Sequence, residues 1–145
     1  MNKKTLQKKK CGPGINALDC VIEELKVLKS LEHPNIIWLH EIIDDPKKDS
    51  IYLVQEWYTR GSLGDLVEKK NLNKPANQKC GLPISDVKLY LKDMLKALYY
   101  CHEVAGVIHR DIKPDNIMVN HNNEAVLIDF GVSSIVEGHE DDTLE

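Results

Sequence analysis

The sequence has 145 residues, of which 42% are hydrophobic and 29% charged, and its formal net charge is −4. These values are ordinary for a globular protein and argue against intrinsic disorder or a fibrous repeat. A mildly acidic chain is also a poor candidate for general polyanion binding. On length alone we expect one compact domain. One oddity is that Phe130 is the single phenylalanine beside five tyrosines and two tryptophans.

Charge is distributed unevenly along the chain. Residues 1–10 contain five lysines and no acid, whereas residues 137–145 contain five acids and no base. A basic head can serve as a nucleic-acid arm, but no arginine or aromatic residue is interleaved with these lysines. We therefore interpret the head as a solvated lysine run and expect no nucleic-acid partner.

The sequence contains neither an apolar membrane span nor a secretory signal. No apolar run approaches the ~18 residues needed to span a bilayer, and no hydrophobic segment follows the first lysines as in a secretory signal. The four cysteines are scattered, which is typical of reduced thiols, and no Cys/His spacing favours structural zinc. We expect a cytoplasmic protein, or a nuclear one, without a membrane partner.

The first predicted helix begins after the N-cap candidate Asn16 and ends before His33-Pro34, because the residue before proline avoids the α region. Glu24 falls on the inward face of this helix, where an acid requires a partner. The apolar positions at helical spacing are Leu18, Val21, Ile22, Leu25, Leu28 and Leu31.

Two β-rich stretches, 36–43 and 51–58, flank the turn-like residues 44–49 and predict an antiparallel hairpin. Gly61 then breaks the chain, and Ser62 is expected to cap a short helix to about Lys70. Residues 71–84 are predicted to be a polar loop.

Ser85 is expected to cap the longest helix, which Gly106 ends. Residues 117–119 and 125–128 bracket a short polar turn and predict a second hairpin. This order of elements predicts an α+β fold. The core positions expected on the longest helix are Val87, Leu91, Met94, Leu95 and Leu98.

The most informative stretch is Val-Ile-His-Arg-Asp-Ile-Lys-Pro-Asp-Asn over residues 107–116, followed by Asp-Phe-Gly over 129–131. Both match the protein-kinase catalytic loop and metal-binding motif in content and order, with Ile112 in place of leucine. The alternative is a surface loop of capping Asp and Asn residues, which does not require so many fixed offsets.

The chain resembles the protein kinase superfamily, and Lys113-Pro114 resembles the serine/threonine branch. In phosphoryl transfer, charge spreads over the phosphoryl oxygens, so catalysis is mostly positioning and electrostatic stabilisation. Asp111 would orient or accept the substrate hydroxyl proton, and Lys113 would reach the transferring phosphate. Asn116 and Asp129 would ligate Mg²⁺, whose shell ATP phosphates and waters complete.

The resemblance implies a partial bilobal fold. Residues 1–57 would be a small-lobe remnant with helix C and strands 4 and 5. Residues 58–61 would be the hinge. Residues 62–145 would be the first part of the large lobe, with its first helices and catalytic-loop strands, ending in the activation loop.

The resemblance also implies roles around ATP. Glu24 would be the helix-C acid that pairs with a strand lysine, although Glu23 competes for that role and a solvated carboxylate is the alternative. Gln55 would be the gatekeeper. Glu56 and Tyr58 would offer backbone groups to adenine, and Met118 would pack beneath its ring.

Four residues would form the regulatory spine that joins the lobes. Each of them can equally be interpreted as an ordinary core residue. They are Leu28, Leu39, His109 and Phe130.

Arg110, beside the catalytic aspartate, resembles the arginine of kinases that are switched on by activation-loop phosphorylation. A local salt bridge to an acid is the alternative.

Three stretches, 41–46, 51–54 and 129–134, are similar to calcium/calmodulin-dependent protein kinase kinases, as are the lysines at 8–10. This resemblance implies an upstream kinase whose protein substrates are other kinases, with calmodulin as a partner through regions outside this chain.

Several family motifs are not present in the sequence. There is no glycine-rich G-x-G-x-x-G, no strand lysine before Glu24 and no Ala-Pro-Glu. We therefore expect about half of a catalytic domain, which alone binds ATP weakly and transfers little phosphate. The alternatives are a naturally short, non-catalytic interaction module derived from a kinase and, further off, an unrelated α+β binding domain.

Overall fold

The computed structural model of the chain describes residues 1–8, 10–12, 15–131 and 133–135, and the side chains of 10–12, 15, 23, 24, 134 and 135 lie outside this description. The helices are α1 (Lys3–Lys8), α2 (Ala17–Ser30), α3 (Leu63–Asn71) and α4 (Ile84–Tyr99). The strands are β1 (Lys10–Gly12), β2 (Ile15–Asn16), β3 (Leu39–Asp44), β4 (Ile51–Gln55), β5 (Val107–Ile108), β6 (Ile117–Val119), β7 (Ala125–Leu127) and β8 (Ser134–Ile135).

The strands form two-stranded antiparallel sheets, β1–β2, β3–β4, β5–β8 and β6–β7. The two predicted hairpins are confirmed as β3–β4 and β6–β7. The glycine- and proline-containing composition of residues 8–16 predicts a loop. That prediction was wrong for residues 10–12 and 15–16, which pair as β1 and β2. None of the helices in the described residues has the length and apolar character needed to cross a membrane.

Two helix starts predicted from single residues are confirmed. The Asn16 side chain accepts a hydrogen bond from the Asp19 N–H at 3.0 Å, which caps α2. The Ser62 side chain accepts from the Asp65 N–H at 3.0 Å, and the Asp65 carboxylate accepts from the Ser62 N–H at 2.8 Å. This reciprocal capping box satisfies two backbone donors at the start of α3.

The predicted cap of the longest helix was wrong. Helix α4 begins at Ile84, directly after Pro83, and no side chain caps it. Ser85 therefore lies within the first turn. Proline is tolerated at a helix start because its fixed φ suits the helix and its missing N–H is not needed there.

Replacing Ser62 by Ala is expected to lower the free energy of unfolding by about 0.5–2 kcal/mol, because the Asp65 N–H loses its acceptor. The matched control is Ser85→Ala, where no cap exists and alanine is the better helix former. Urea unfolding of both variants measures the difference. Equal stabilities for the two would contradict the capping box at Ser62.

Residues 36 and 37 do not extend the first hairpin as predicted. Ile37 N–H donates to the Leu127 carbonyl at 2.9 Å, and Leu127 N–H donates to the Asn35 carbonyl at 2.8 Å. The Asn35 side chain, 5% exposed, donates to the Ala125 carbonyl at 2.8 Å. This segment therefore joins the end of α2 to β7, and strand β3 begins only at Leu39.

Helix α4 buries a different face from the one expected. Its buried residues are Tyr90, Met94 and Ala97, whereas Leu91 and Leu95 are 57% and 60% exposed. Val87 is also exposed. The predicted apolar stripe and the observed one share Met94. Apolar residues cover so wide an arc of this helix that packing against its neighbours decides which face is buried.

The lysine head is not fully solvated as predicted. Lys3 pairs with Asp44 and donates to the Asp45 carbonyl at 3.0 Å, and its side chain is only 16% exposed. Lys4 pairs with Asp49 at 2.5 Å. These contacts hold α1 against the turn between β3 and β4.

One continuous core joins α2, α4 and the strands β6 and β7. Its most deeply buried large side chains include Phe130, Leu127 and His109, each at most 1% exposed. The predicted α+β fold is confirmed, and the core includes Val107, the first residue of the 107–116 stretch.

Candidate active site

The loop of residues 109–116 is held in place by a buried histidine. His109 is 1% exposed; its Nδ1 accepts the Asp111 N–H at 3.2 Å and its Nε2 lies 2.9 Å from the Ile128 carbonyl. An acceptor at one nitrogen and a carbonyl at the other require a neutral ring with its proton on Nε2. Arg110 between them has a φ of 66°, so the backbone bends sharply just before Asp111.

Three predicted catalytic side chains meet at the Asp111 carboxylate. Lys113 Nζ lies 2.7 Å from Asp111 Oδ2, and Asn116 Nδ2 donates to the same oxygen at 2.9 Å. Asn116 also donates to the Asp111 carbonyl at 3.0 Å. The sequence prediction that these residues act together is consistent with this geometry.

Hydrogen bonds and charges within this cluster favour the ionised forms of Asp111 and Lys113. The hydrogen bond from Lys113, reinforced by that from Asn116, lowers the pKa of Asp111 below its usual range. The hydrogen bond to Asp111 in turn raises the pKa of Lys113. The carboxylate and the ammonium are therefore both charged at neutral pH, while remaining partly accessible to solvent at 35% and 46% exposure.

The two predicted metal ligands lie at the same end of one hairpin. Ile117 pairs with Leu127 in β6–β7, and beyond this pair the Ile128 N–H donates to the Asn116 carbonyl at 2.9 Å. Asp129 follows Ile128 immediately, with a φ of 62°, and its side chain is exposed. The register of the hairpin thus brings Asn116 and Asp129 together.

The donor set fits a magnesium ion shared with phosphate. Asn116 directs its amide nitrogen to Asp111, so its side-chain oxygen is the atom available to a cation. Among the described residues no three His, Cys, Asp or Glu side chains form a metal cage. Mg²⁺ commonly takes one or two carboxylates and completes its shell with phosphate and water. One amide and one carboxylate suit that mode.

The residues expected at the adenine site lie along the segment that follows β4. Gln55 is the last residue of β4 and is exposed, as is Glu56. Tyr58 is half-buried and its hydroxyl donates to the Glu56 carboxylate. Burial, followed by this hydrogen bond, raises the pKa of Tyr58.

Met118 is brought to the same segment by β6. It is partly buried and forms a bridge with Ser62, and the adjacent Val119 N–H donates to the Gly61 carbonyl at 3.1 Å. Gly61 has a φ of +85°, and a Cβ there would lie 2.7 Å from the Asp65 carboxylate. Glycine is therefore required where the chain passes from β4 into α3.

The four residues expected to form a spine are all buried. Leu28 and Leu39 are 4% and 8% exposed, and His109 and Phe130 are 1% exposed. The rings of His109 and Phe130 meet edge to face with centroids 4.6 Å apart. All four belong to the same core cluster.

Two further residues were predicted from the resemblance, Glu24 and Arg110. The Glu24 side chain lies outside the described residues, although its backbone is part of α2. Arg110 is exposed and its Nη2 donates to the Ser133 carbonyl at 3.3 Å, which links the 109–116 loop to the segment after Gly131.

Sequence reasoning missed one residue that positions the site. Asp115 approaches the start of α3 so closely that a Cβ at Gly64 would lie 2.8 Å from its carboxylate. Helix α3 thus fixes the middle of the loop between Lys113 and Asn116. Gly64, two residues after the Ser62 cap, was the available signal.

Comparison with known proteins decides the family. The model of the protein kinase domain matches residues 1–144. The chain belongs to the protein kinase family. The predicted partial α+β kinase fold is confirmed by this match.

Curated relatives of this protein kinase chain are serine/threonine-protein kinases. Ssp1 of Schizosaccharomyces pombe is 38% identical over 86% of the chain and 18% of its own length. The ovarian-specific kinase Lok of Drosophila melanogaster is 38% identical over 82% of the chain and 23% of its own. GRIK1 of Arabidopsis thaliana is 32% identical over 97% of the chain and 33% of its own length. The chain therefore spans a third or less of each of these relatives.

Proposed function

We propose that this chain is the central part of an ATP-dependent protein serine/threonine kinase that phosphorylates hydroxyl groups of protein substrates. The observation that carries the proposal is the cluster in which Lys113 and Asn116 both bind the Asp111 carboxylate, at 2.7 and 2.9 Å. The names of the relatives support the serine/threonine class.

Each side chain has a task in this chemistry. Asp111, kept ionised by Lys113, orients the substrate hydroxyl and takes its proton. Lys113 supplies positive charge beside the transferring group, where charge develops. Asn116 and Asp129 would hold Mg²⁺, which neutralises phosphate charge when bound. Gly131 lets the backbone turn after Asp129, whose Oδ1 accepts the Gly131 N–H at 3.3 Å.

The remaining site residues have supporting roles in the proposal. Glu56 and Tyr58 present backbone groups to adenine, and Met118 supports the ring from β6. Glu24 pairs with a lysine on the strand that precedes helix C in the family. Leu28, Leu39, His109 and Phe130 act as the spine, which their common burial supports.

Arg110 is proposed to receive a phosphate on the activation loop. Its hydrogen bond to Ser133, at 3.3 Å, supports a coupling between the catalytic loop and the segment that follows Gly131. A phosphate there would form a stronger, charge-assisted contact with the guanidinium.

The proposed division of the chain is a small-lobe remnant at 1–57, a hinge at 58–61 and the first part of the large lobe at 62–145. The left-handed backbone of Gly61 and the start of α3 at Leu63 support a change of chain direction near this hinge. We further place the protein in the cytoplasm or nucleus, which the scattered spacing of its cysteines supports.

The proposed subfamily is the calcium/calmodulin-dependent protein kinase kinases, which would make other kinases the substrates. The support is the resemblance of stretches 41–46, 51–54 and 129–134. Calmodulin pull-down of the full-length parent protein tests it. Calcium-dependent retention is expected, and its absence would count against this subfamily.

The 145-residue chain by itself is expected to show negligible phosphotransfer. Its sheets have only two strands among the described residues, and such ribbons are marginal alone. The measurement is transfer of labelled phosphate from ATP with Mg²⁺ to a generic protein substrate. Activity that disappears in the Asp111→Asn variant would overturn this expectation, whereas activity unaffected by it would mark a contaminant.

A further inference from the structure

The turn between β6 and β7 is bound to two other parts of the chain through one side chain. Asn123, in this turn, accepts a hydrogen bond at Oδ1 from Arg60 Nη1 at 2.6 Å and another from the Tyr90 hydroxyl at 2.8 Å. A guanidinium only donates hydrogen bonds, so the atom that faces it must be the amide oxygen. Tyr90 lies on α4 and is 4% exposed. A single oxygen therefore joins the turn to α4 and to the segment before α3.

The backbone of the turn limits which residues can make these bonds. Asn123 has a φ of 66°, a left-handed conformation that glycine, asparagine and aspartate adopt most readily. The turn itself is closed by Asn120, whose Oδ1 accepts the N–H groups of Asn122 at 3.0 Å and Glu124 at 2.9 Å. Glycine at position 123 would thus satisfy the turn, but it would supply no acceptor to the arginine or to the buried Tyr90 hydroxyl.

The proposed hinge contacts the β6–β7 hairpin at two points. The Gly61 carbonyl accepts the Val119 N–H at 3.1 Å, and Arg60 binds Asn123 at the turn. A single contact would let the hinge pivot on the hairpin, whereas two contacts four residues apart along the hairpin fix both the separation and the angle. Met118, beside Val119, is the residue proposed to support the adenine ring.

Helix α4 holds the same end of the hairpin from another side. Asp93 of α4 accepts the Ala125 N–H at 3.1 Å, and Tyr90 lies three residues before it on the helix. The hairpin is therefore anchored to α4 at both Asn123 and Ala125. Arg60 ties the hinge to this fixed support.

We propose that Asn123 is a positioning residue for the nucleotide. Through Arg60 it sets the distance between the hinge, which offers backbone groups to adenine, and strand β6, which supports the ring. This role rests on the proposed function, because the adenine site belongs to it. Both side chains are partly buried, and a charge-assisted hydrogen bond between them resists separation more than a neutral one would. The bonds to Asn123 lie within residues 60–123, so no other part of the protein is required to form them.

Nucleotide binding and steady-state kinetics of the full-length parent protein test the proposal. In Asn123→Gly the turn keeps its conformation but Arg60 loses its acceptor. The Kd of ATP with Mg²⁺ and the KM for ATP should both rise about tenfold, the order expected when a hydrogen bond to a charged group is lost. The kcat should change by less than about twofold, because the Asp111 cluster is not touched. Asn123→Asp keeps both the turn and an acceptor, and should bind ATP as tightly as the unaltered protein.

A double-mutant cycle shows whether the two side chains act through one bond. Arg60→Met combined with Asn123→Gly should bind ATP no more weakly than Asn123→Gly alone, because the same bond is lost once. The matched control is Asn122→Gly, the same substitution at an exposed neighbouring position. A second control, Asn120→Ala, removes bonds that close the turn without touching the hinge. It should lower the melting temperature, and both controls should keep the ATP affinity of the parent.

The outcomes separate this role from the proposed function. Unchanged ATP affinity in Asn123→Gly, in a parent protein that phosphorylates its substrate, would overturn the role of Asn123 and leave the proposed kinase in place. A tenfold rise in Kd in a parent that binds ATP but transfers no phosphate would support the role and contradict the proposed activity. An equal rise in Asn120→Ala would assign the effect to general loosening of the turn and overturn the role. No nucleotide binding by the unaltered parent would overturn both.

Discussion

Replacing Asp111 by Asn is expected to reduce phosphotransfer by about 10²–10⁴-fold, the usual contribution of a positioned general base. Asparagine keeps the shape of the side chain but has no charge, so it neither accepts the substrate proton nor holds Lys113 by an ion pair. The backbone carbonyl of residue 111 still accepts from Asn116, as it does at 3.0 Å now, so the loop should keep its course.

The measurement needs a complete catalytic domain around this chain. Residues 1–145 can replace the matching segment of ssp1, which is 38% identical to it. The rate of the grafted kinase is then compared with and without Asp111→Asn, using a Ser/Thr-containing peptide and ATP with Mg²⁺. A graft that is active in both forms would place the proton acceptor elsewhere.

The control for this experiment is Asp115→Asn in the same loop. It removes the same charge four residues away, from a side chain that packs against α3 at Gly64 and does not bind Asp111. We expect much smaller loss of rate there. Comparable losses at both positions would indicate that general loop damage, and not proton transfer, explains the effect at Asp111.

Replacing Phe130 by Ala is expected to lower the free energy of unfolding by about 3–5 kcal/mol. The side chain is 1% exposed and belongs to the core cluster, so its removal leaves a cavity there. It also deletes the edge-to-face contact with His109 at 4.6 Å. Because globular domains are stable by only ~5–15 kcal/mol, this variant should lose much of its total stability.

Urea unfolding followed by tryptophan fluorescence measures this loss, with Phe130→Leu as a milder variant. The matched control is Trp57→Ala, which removes another large aromatic side chain that is 85% exposed, and circular dichroism follows that variant. Substitutions on the surface usually change stability by no more than about 0.5 kcal/mol. If Phe130→Ala were as stable as Trp57→Ala, Phe130 would not be a core residue.

Local chemistry explains why several elements could be predicted correctly. Asn16 and Ser62 cap helices through side chains that reach backbone groups three residues on, which the sequence alone specifies. The turn between β6 and β7 is equally local. The pairing of Asp111 with Lys113 and Asn116 also joins residues two and five positions apart, so the catalytic cluster was within reach of sequence reasoning.

Contacts between segments that are far apart in the sequence could not be predicted from local patterns. The orientation of α4 depends on which of its apolar residues meet β7, and the sequence offers two overlapping stripes. Residues 36 and 37 look like strand, yet the Ile37 N–H donates to the carbonyl of Leu127, ninety residues further on, and Ile36 forms an isolated β-bridge with the same residue. No local pattern can rank such partners, because the decision depends on what each surface buries.

Phe130 illustrates the same division. By itself the sequence determined the α+β class, the catalytic-loop motif and the order of α2, the β3–β4 hairpin, α3, α4 and the β6–β7 hairpin, since spacing and capping act over a few residues. Only the tertiary structure decided that Phe130 packs on His109, that Asn116 and Asp129 share one end of a hairpin, and that Asn123 at its other end binds Arg60. The physical reason is that burial is a property of the assembled chain, in which each face competes for the same core.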